Sequence, residues 1–254
     1  MVNTPISIVI PVFEEAGNLE RLHHEIESML SDCQISEIVF VNDGSRDETA
    51  SLLRQLSRHR RVVVVSHETR RGQSAALHSG VLHAGCEQVV TLDGDGQNDP
   101  LDIPRLLDAV SRDAVGARGL LVVGQRNHRQ DSWARRWASS IANSVRSTIL
   151  GDRTPDTGCG IKSFRRDDFL NLPCFDHMHR FLPALFLRAG GRVVSIDVTH
   201  RPRQSGHSKY GVTDRIWPGI VDLLGLMWLM RRRPPPGERF DTTESKKDGG
   251  VQVK

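Results

Sequence analysis

The sequence lacks the features of a secreted, membrane-spanning or disulfide-stabilised protein. Its four cysteines are widely spaced and form neither a CxxC pair nor a grouping typical of zinc sites. The chain does not open with a basic segment followed by a long apolar one, and it contains no run of about 20 apolar residues. We therefore expect reduced thiols, no signal peptide, no membrane span and a cytoplasmic protein.

A large excess of charge of one sign is also missing. The formal net charge is +3, which is too small to indicate a nucleic-acid partner. Hydrophobic residues make up 38% and charged residues 26% of the chain, as in soluble globular proteins, and no internal repeat occurs. The 254 residues are enough for one large or two small domains that fold unaided. We expect a globular protein without a nucleic-acid partner. The sequence does not decide whether the protein is a monomer or a homo-oligomer.

Segments typical of strands and of helices alternate along the chain. Apolar runs of β-branched residues predict strands, and apolar residues at helical spacing, such as Leu19, Leu22 and Ile26, predict helices between them. Ser45 followed by Glu48 resembles a capping box and predicts a helix that begins there. The predicted strands are ISIVI, EIVFV, RVVVVSH, QVVTLD, LLVVG, a strand after the loop GDRTPDTGCG, and RVVSIDVTH. This alternation predicts an α/β fold with a Rossmann-like, mostly parallel central sheet and helices on both faces.

Polar residues follow the predicted strands at their carboxyl ends. They are Glu15, Asp43, Asp93, Asp95 and Arg126. In open α/β sheets, ligands bind beyond the carboxyl ends of the strands, so we expect these side chains to line one site.

Asp93 and Asp95, in the segment VTLDGDGQNDP, allow more than one chemistry. A twelve-residue calcium loop requires Gly at its sixth and Glu at its twelfth position, where this chain has Asn98 and Pro104, so that interpretation fails. An aspartate-nucleophile phosphatase would have Thr or Val at Gln97 and its motif after the first strand, whereas this motif follows the fourth. Alternatively, the two aspartates lie in a solvated turn and bind no ligand.

A nucleotide-diphosphate site explains the spacing better. Two carboxylates at positions i and i+2, leaving the end of a strand, can share one hard cation such as Mg²⁺ or Mn²⁺. That cation would bridge a diphosphate and neutralise charge that develops on a leaving group.

The C-terminal part of the chain has a different character. We predict one α/β domain over residues 1–211, a helix within 212–233 and a disordered polar tail over 234–254. The apolar stretch Ile216–Met230 is too short to span a bilayer. With its tryptophans and the arginines that follow it, the stretch predicts a helix in the membrane interface, and a helix docked on the domain or a dimer contact is the alternative.

Seven segments together resemble a known enzyme family. IVIPVFEEAGNL, FVNDGSRDET, RRGQSAALHSG and VTLDGDGQNDP, in this order, resemble the family 2 glycosyltransferases of the GT-A fold. VGQRNHRQDSW, DTGCGIKSFRRD and RPRQSGHSKYG narrow the resemblance to the branch of dolichol- and polyprenyl-phosphate sugar transferases, which includes dolichol-phosphate mannosyltransferase. The match covers roughly residues 5 to 232.

The resemblance implies a set of donor-binding and metal-binding residues. Phe13 stands where the family usually has tyrosine, and Asn42 replaces the first aspartate of the family's DDGS motif. Neither difference decides between a uridine and a guanosine donor. The implied donor-binding residues are Pro11, Phe13, Glu15, Asp43, Arg71 and Asp93, and the implied metal ligands are Asp93, Asp95 and Gln97.

The resemblance also implies an inverting transfer of a sugar, with mannose favoured, to a polyprenyl or dolichyl phosphate. Because a phosphate monoester is already ionised at neutral pH, no strong general base is required, and Asp156 is a base or an orienting group. The residues implied for catalysis are Asp95, Arg126, Asp156, Arg203, Ser208 and Lys209. We expect a nucleotide sugar (GDP- or UDP-linked), Mg²⁺ or Mn²⁺, and the cytoplasmic surface of a membrane as partners. A family 2 transferase with a soluble glycan acceptor is the first alternative, and a phosphatase that uses the Asp93–Asp95 motif is the second.

Overall fold

A computed structural model gives the fold of the chain, and it describes residues 4–29, 33–113, 119–126, 151, 154, 156–202 and 213–232, with the backbone alone for 213–220. The strands are β1 (Ile6–Val12), β2 (Ile35–Asn42), β3 (Val62–Ser66), β4 (Gln88–Thr91), β5 (Leu120–Arg126), β6 (Lys162–Arg165) and β7 (Arg192–Val198). The helices are α1 (Ala16–Glu27), α2 (Thr49–Leu56), α3 (Gln73–His83), α4 (Ile103–Arg112), α5 (Arg166–Leu170), α6 (Leu182–Arg188) and α7 (Thr213–Arg231), with short 3₁₀ turns at Pro100–Asp102 and Met178–Arg180.

The strands form one sheet in the order β3-β2-β1-β4-β6-β5-β7. Neighbouring strands pair in parallel except at β6, which is antiparallel to both β4 and β5. The prediction of a mostly parallel α/β sheet is confirmed. The carboxyl ends of six strands and the start of β6 therefore lie along one edge of the sheet.

Each face of the sheet is covered by its own hydrophobic core. Helices α1, α2 and α4 pack on one face, through residues such as Leu22, Leu53 and Leu106. Helices α3, α5, α6 and α7 pack on the other, where Phe164 and Phe186 are buried. Nearly every side chain of β1 and β4 is buried, because both strands lie inside the sheet and are covered on both faces.

The predicted capping box at Ser45 is wrong. Helix α2 begins at Thr49, whose backbone N–H donates to Oδ1 of Asp47 at 3.1 Å, and neither Ser45 nor Glu48 caps the helix with its side chain. The Ser45 hydroxyl instead accepts a hydrogen bond of 2.9 Å from the backbone N–H of Glu14, in the loop that follows β1. A long-range bond to a neighbouring loop has replaced the local cap.

Helix α7 docks on the sheet domain through one side. Leu226 is buried in the second core, and the Asp222 carboxylate lies 2.8 Å from Nδ1 of His177. Val221, Leu224 and Trp228 are 54%, 59% and 61% exposed, and their spacing places them along one stripe of the helix. The docked-helix alternative therefore holds for one side of α7, and membrane contact by the other side stays a prediction.

Within the described residues, no helix combines the length and apolarity that a bilayer crossing demands. The predicted disordered tail over 234–254 lies outside the described residues.

Candidate active site

The loop after β1 begins the predicted donor site. Pro11 is half-buried within β1, and Glu15 accepts a hydrogen bond of 2.7 Å from the Asn18 amide. Glu14 has a left-handed backbone with φ of 53°, an uncommon conformation for a residue with a side chain. The guanidinium of Arg70 lies 4.3 Å above the ring of Phe13, a cation–π contact. The structure thus places a planar cation on the aromatic residue predicted to stack on the nucleotide base, and that stacking stays a prediction.

Asp43, predicted to bind the nucleoside, is buried and organises the neighbouring loop. Its Oδ1 accepts a bond of 2.8 Å from the N–H of Arg71 and lies 2.8 Å from Nδ1 of His67, and its Oδ2 accepts one of 2.8 Å from the N–H of Gly72. Gly44 is required beside it, because a Cβ there would lie 2.6 Å from the backbone nitrogen of Arg70. The carboxylate therefore fixes the loop that leads into α3.

The acidic pair follows β4 at the centre of the edge. Asp93 Oδ1 accepts a bond of 2.9 Å from the Gln73 amide, and its backbone N–H donates to Asn98 at 3.1 Å. Asp95 Oδ1 accepts a bond of 3.1 Å from the backbone N–H of Gln97. Burial first, and then the charge of Asp95, raise the pKa of Asp93 from 3.8 to about 6. The two carboxylates are thus close enough to repel each other.

This donor set fits a divalent cation. Mg²⁺ and Mn²⁺ prefer oxygen ligands, and Mg²⁺ is usually held by one or two carboxylates together with waters and substrate phosphates. Asp93, Asp95 and the amide oxygen of Gln97 supply such ligands, and a cation would relieve the repulsion within the pair. Across the described ranges, no group of three or more His, Cys, Asp or Glu side chains is placed to hold a metal on its own. A cation bound to these side chains would therefore need further ligands, such as waters or substrate phosphates.

His200 is a neighbour of the acidic loop that the sequence analysis missed. It forms an isolated bridge with Asn98, and its Nε2 lies 3.5 Å from Nε2 of Gln97. The next residue, Arg201, donates its backbone N–H to the Gln97 carbonyl at 2.9 Å. The segment after β7 thus closes one side of the acidic loop, and no pattern near His200 indicated it.

Arg126 and Asp156, both predicted for catalysis, form a buried ion pair. Arg126 Nε donates to Asp156 Oδ2 at 2.6 Å and its Nη2 donates to Oδ1 at 2.8 Å. Their side chains are 15% and 8% exposed. Burial acts to lower the pKa of Arg126, but the hydrogen bond and charge of Asp156 raise it overall. Asp156 therefore holds the guanidinium of Arg126 in a fixed direction, and its role as a base or an orienting group in catalysis stays a prediction.

The three remaining catalytic predictions are untested. Arg203, Ser208 and Lys209 lie outside the described residues, and their closing over the site stays a prediction.

Two further buried groups near the edge were also missed. Lys162 begins β6 and is 4% exposed, and it follows Gly160, where a Cβ would overlap the carboxylate of Asp93. His179 lies 2.8 Å from the hydroxyl of Ser74, and burial lowers its pKa to about 3. Lys162 stands within the quoted segment DTGCGIKSFRRD, but a single lysine inside a short strand carries no distinctive pattern.

Comparisons with known proteins agree with this architecture. The chain is 33% identical over 241 residues to dodecaprenyl-phosphate galacturonate synthase of Rhizobium johnstonii, covering 92% of this chain and 70% of the relative. It is 36% identical over 227 residues to undecaprenyl-phosphate 4-deoxy-4-formamido-L-arabinose transferase of Edwardsiella ictaluri, covering 88% of this chain and 66% of the relative. The chain thus spans about two thirds of the length of these curated relatives.

A solved structure shares the fold at lower sequence identity. Glucosyl-3-phosphoglycerate synthase from Mycobacterium tuberculosis, in complex with Mn²⁺, uridine diphosphate and phosphoglyceric acid, superposes with a TM-score of 0.64 and 17% identity. The match covers 92% of this chain and 81% of that one. The family model described as Glycosyl transferase family 2 matches residues 7–172. The prediction from the motifs is therefore confirmed, and the chain belongs to glycosyl transferase family 2.

Proposed function

We propose that this protein transfers a sugar, with inversion, from a nucleotide-diphosphate donor to a polyprenyl or dolichyl phosphate, using Mg²⁺ or Mn²⁺. One observation carries the proposal: the acidic pair after β4 and the buried Arg126–Asp156 pair at the end of β5 share one edge of the sheet. The relatives support the acceptor class, because both are named for transfer to a prenyl phosphate.

The donor side is built to hold an anion and its cation. Asp93, Asp95 and Gln97 would hold the cation, which when bound would neutralise the charge of the diphosphate as it leaves. The loop at residues 70–72 is fixed by Asp43, so its backbone and arginines are positioned before the donor arrives. Uridine diphosphate in the Mycobacterium tuberculosis structure supports a UDP-linked donor, and a GDP-linked donor is the other prediction.

The acceptor side presents positive charge to an ionised phosphate. A phosphate monoester needs no deprotonation to act as a nucleophile at neutral pH. Asp156 accepts two bonds from Arg126 and so fixes the direction of its guanidinium. In our proposal Arg126 stabilises the phosphate oxygens through charge, and Asp156 acts through Arg126 rather than as a general base.

The sugar is the finer part of the proposal. Mannose follows from the resemblance to dolichol-phosphate mannosyltransferases, whereas the two relatives are named for galacturonate and for a formamido-arabinose. We keep mannose as the prediction to be tested first, and the two other sugars belong in the same assay.

We further propose that α7 binds the cytoplasmic surface of a membrane peripherally. Its exposed stripe of Val221, Leu224 and Trp228 ends beside Arg231 and Arg232, and the Arg232 guanidinium lies 5.5 Å from the Trp228 ring. An apolar stripe with cations at one end suits the boundary between acyl chains and anionic headgroups. Such an orientation would bring the catalytic domain close to an acceptor with a long isoprenoid tail.

A transfer assay tests the proposal. Purified protein with Mn²⁺ or Mg²⁺ is supplied with GDP-mannose or with UDP-linked sugars, including UDP-galacturonate, and with undecaprenyl or dolichyl phosphate in vesicles. We expect a glycolipid product with one donor, and Asp95→Asn should reduce its formation at least a hundredfold. Asp108→Asn, the same change on the exposed side of α4, is the matched control and should leave transfer intact. Equal transfer by the Asp95 variant would refute the site, and transfer only to a soluble glycan would refute the acceptor.

A further inference from the structure

Lys162 is the first residue of the only strand that runs against the others in the described sheet. It pairs with Thr91 of β4 and with Val123 of β5. Asp93 follows Thr91 by two residues and Arg126 follows Val123 by three. Lys162 therefore lies between the strand that carries the acidic pair and the strand that carries the arginine.

The ammonium of Lys162 is buried with few partners. The residue is 4% exposed. In the part of the chain that the structure describes, Nζ makes one hydrogen bond, to the carbonyl oxygen of Cys159, and no carboxylate forms an ion pair with it. A lysine ammonium has three N–H donors, so two remain for another acceptor. Buried charges are normally paired, and a buried cation without a carboxylate partner at a ligand site points to an anionic ligand.

The electrostatics of the neighbourhood place this ammonium between the two halves of the site. Burial lowers the pKa of Lys162, and Cys159 first, and then the carboxylates of Asp93 and Asp156, oppose that lowering. Arg126, the other buried cation, already gives two of its N–H groups to Asp156. Two N–H groups of Arg126 are therefore already bound to Asp156, whereas two N–H groups of Lys162 can donate to another acceptor.

The choice of lysine at this position is unusual for the chain. The sequence has 34 lysines and arginines, and Lys162 is the only lysine before residue 209. Arginine is bulky and planar, whereas the lysine ammonium is a compact charge on a narrow stem that can reach a confined point inside a sheet.

We propose that Lys162 is an anion-binding residue of this site, whose ammonium donates to a phosphate oxygen of a reactant between Asp93 and Asp156. The inference rests on the proposed function, which supplies two phosphate-bearing reactants. The phosphate belongs either to the donor diphosphate or to the lipid acceptor, and the two share the chemistry that Lys162 would recognise.

Binding of two soluble probes distinguishes the sources. Isothermal titration of the full chain uses inorganic pyrophosphate with Mn²⁺ as the donor probe and geranyl phosphate as the acceptor probe. Lys162→Met keeps the unbranched stem of the side chain and removes its charge, and we expect it to weaken binding of one probe at least tenfold. A loss for pyrophosphate assigns Lys162 to the donor, and a loss for geranyl phosphate assigns it to the acceptor. Wild-type affinity for both probes overturns the proposal.

Arg166→Met is the matched control. Arg166 donates to the backbone carbonyls of Val81 and Leu82, away from the acidic pair, so its loss removes a cation–carbonyl contact of the same kind. This variant should bind both probes like the wild type. If Lys162→Met does not fold, the wild-type protein with ¹⁵N-labelled lysine side chains gives a second measurement. The NMR signal of the Lys162 ammonium should shift when either pyrophosphate with Mn²⁺ or geranyl phosphate binds. A signal that shifts with neither probe counts against the proposal.

The outcomes separate this inference from the proposed function. A wild-type protein that binds a probe through Lys162 but transfers no sugar refutes the function alone. A protein that transfers sugar while the Lys162 variant binds both probes normally refutes the inference alone. A wild-type protein that binds neither probe refutes both.

Discussion

Replacing Asp93 with asparagine should make the metal-free protein more stable while it abolishes transfer. Burial and the neighbouring charge of Asp95 raise the pKa of Asp93 from 3.8 to about 6, a difference of about two units. One pKa unit corresponds to about 1.4 kcal/mol, so the ionised carboxylate costs the folded state up to about 3 kcal/mol at neutral pH. Asparagine removes that cost, and its amide oxygen can still accept the bond from Gln73.

The pH dependence has a definite sign. Because the folded pKa lies above the unfolded one, the folded state binds the proton more tightly, and the stability from the protonated form is lost as pH rises through about 6. The free energy of unfolding of Asp93→Asn should therefore match that of the wild type near pH 4. It should exceed the wild-type value by up to about 3 kcal/mol at pH 7.5.

Urea denaturation in EDTA at a series of pH values measures this difference. Asp108→Asn, which neutralises an exposed carboxylate, should show no such growth with pH. Adding Mn²⁺ should stabilise the wild type more than the Asp93 variant, because a ligand stabilises the state that binds it. Equal stability of variant and wild type at pH 7.5, or a difference that does not change with pH, would refute the reasoning.

Three further predictions concern other parts of the site. Gly160→Ala should weaken Mn²⁺ binding at least tenfold by calorimetry, because the added Cβ would overlap the carboxylate of Asp93. Asp156→Asn should lower kcat about a hundredfold with a smaller change in donor KM, because Arg126 loses the charged partner that fixes its direction, and an unchanged kcat would contradict this role. Trp228→Ala should reduce partition to anionic vesicles by about tenfold, as expected for removing one exposed aromatic anchor, while transfer in detergent is retained.

Each of these changes has a simple control within the chain. Gly225→Ala adds a Cβ that meets no atom within 4 Å apart from its own helix backbone, so it should leave Mn²⁺ binding unchanged. Asp108→Asn serves again as the control for Asp156→Asn. Leu101→Ala removes an exposed apolar side chain that lies outside α7, and it should not alter vesicle partition. Wild-type partition by the Trp228 variant would count against a membrane role for the exposed stripe.

The sequence predicted the parts of this fold that rest on local pattern. The β-branched runs mark the parallel strands, and the polar residues after them mark the edge where the site lies. A strand after the loop GDRTPDTGCG was predicted, and β6 confirms it, but its antiparallel direction was not predicted, because its place depends on partners about 40 and 70 residues earlier in the chain.

The candidate site was predicted as a set of residues but not as a set of contacts. The pairing of Arg126 with Asp156 joins residues that are 30 positions apart, and no local spacing indicates it. Asp43 was predicted to meet the nucleoside, yet its carboxylate already accepts bonds from the backbone of Arg71 and Gly72. The fold alone shows that this side chain organises the neighbouring loop, and its contact with a nucleoside stays a prediction.

The reversed direction of β6 determines which segments of the chain lie at the edge of the sheet where the candidate site is found. At the parallel strands, the residues at this edge follow the strand in the sequence. At β6, they precede the strand and are residues 156–161. The two sides of the candidate site are therefore encoded far apart, with the predicted donor-binding residues in the first hundred residues and the Arg126–Asp156 pair later. If the proposed function holds, exchanging the later stretch between homologues should change the acceptor and leave binding of the sugar nucleotide intact.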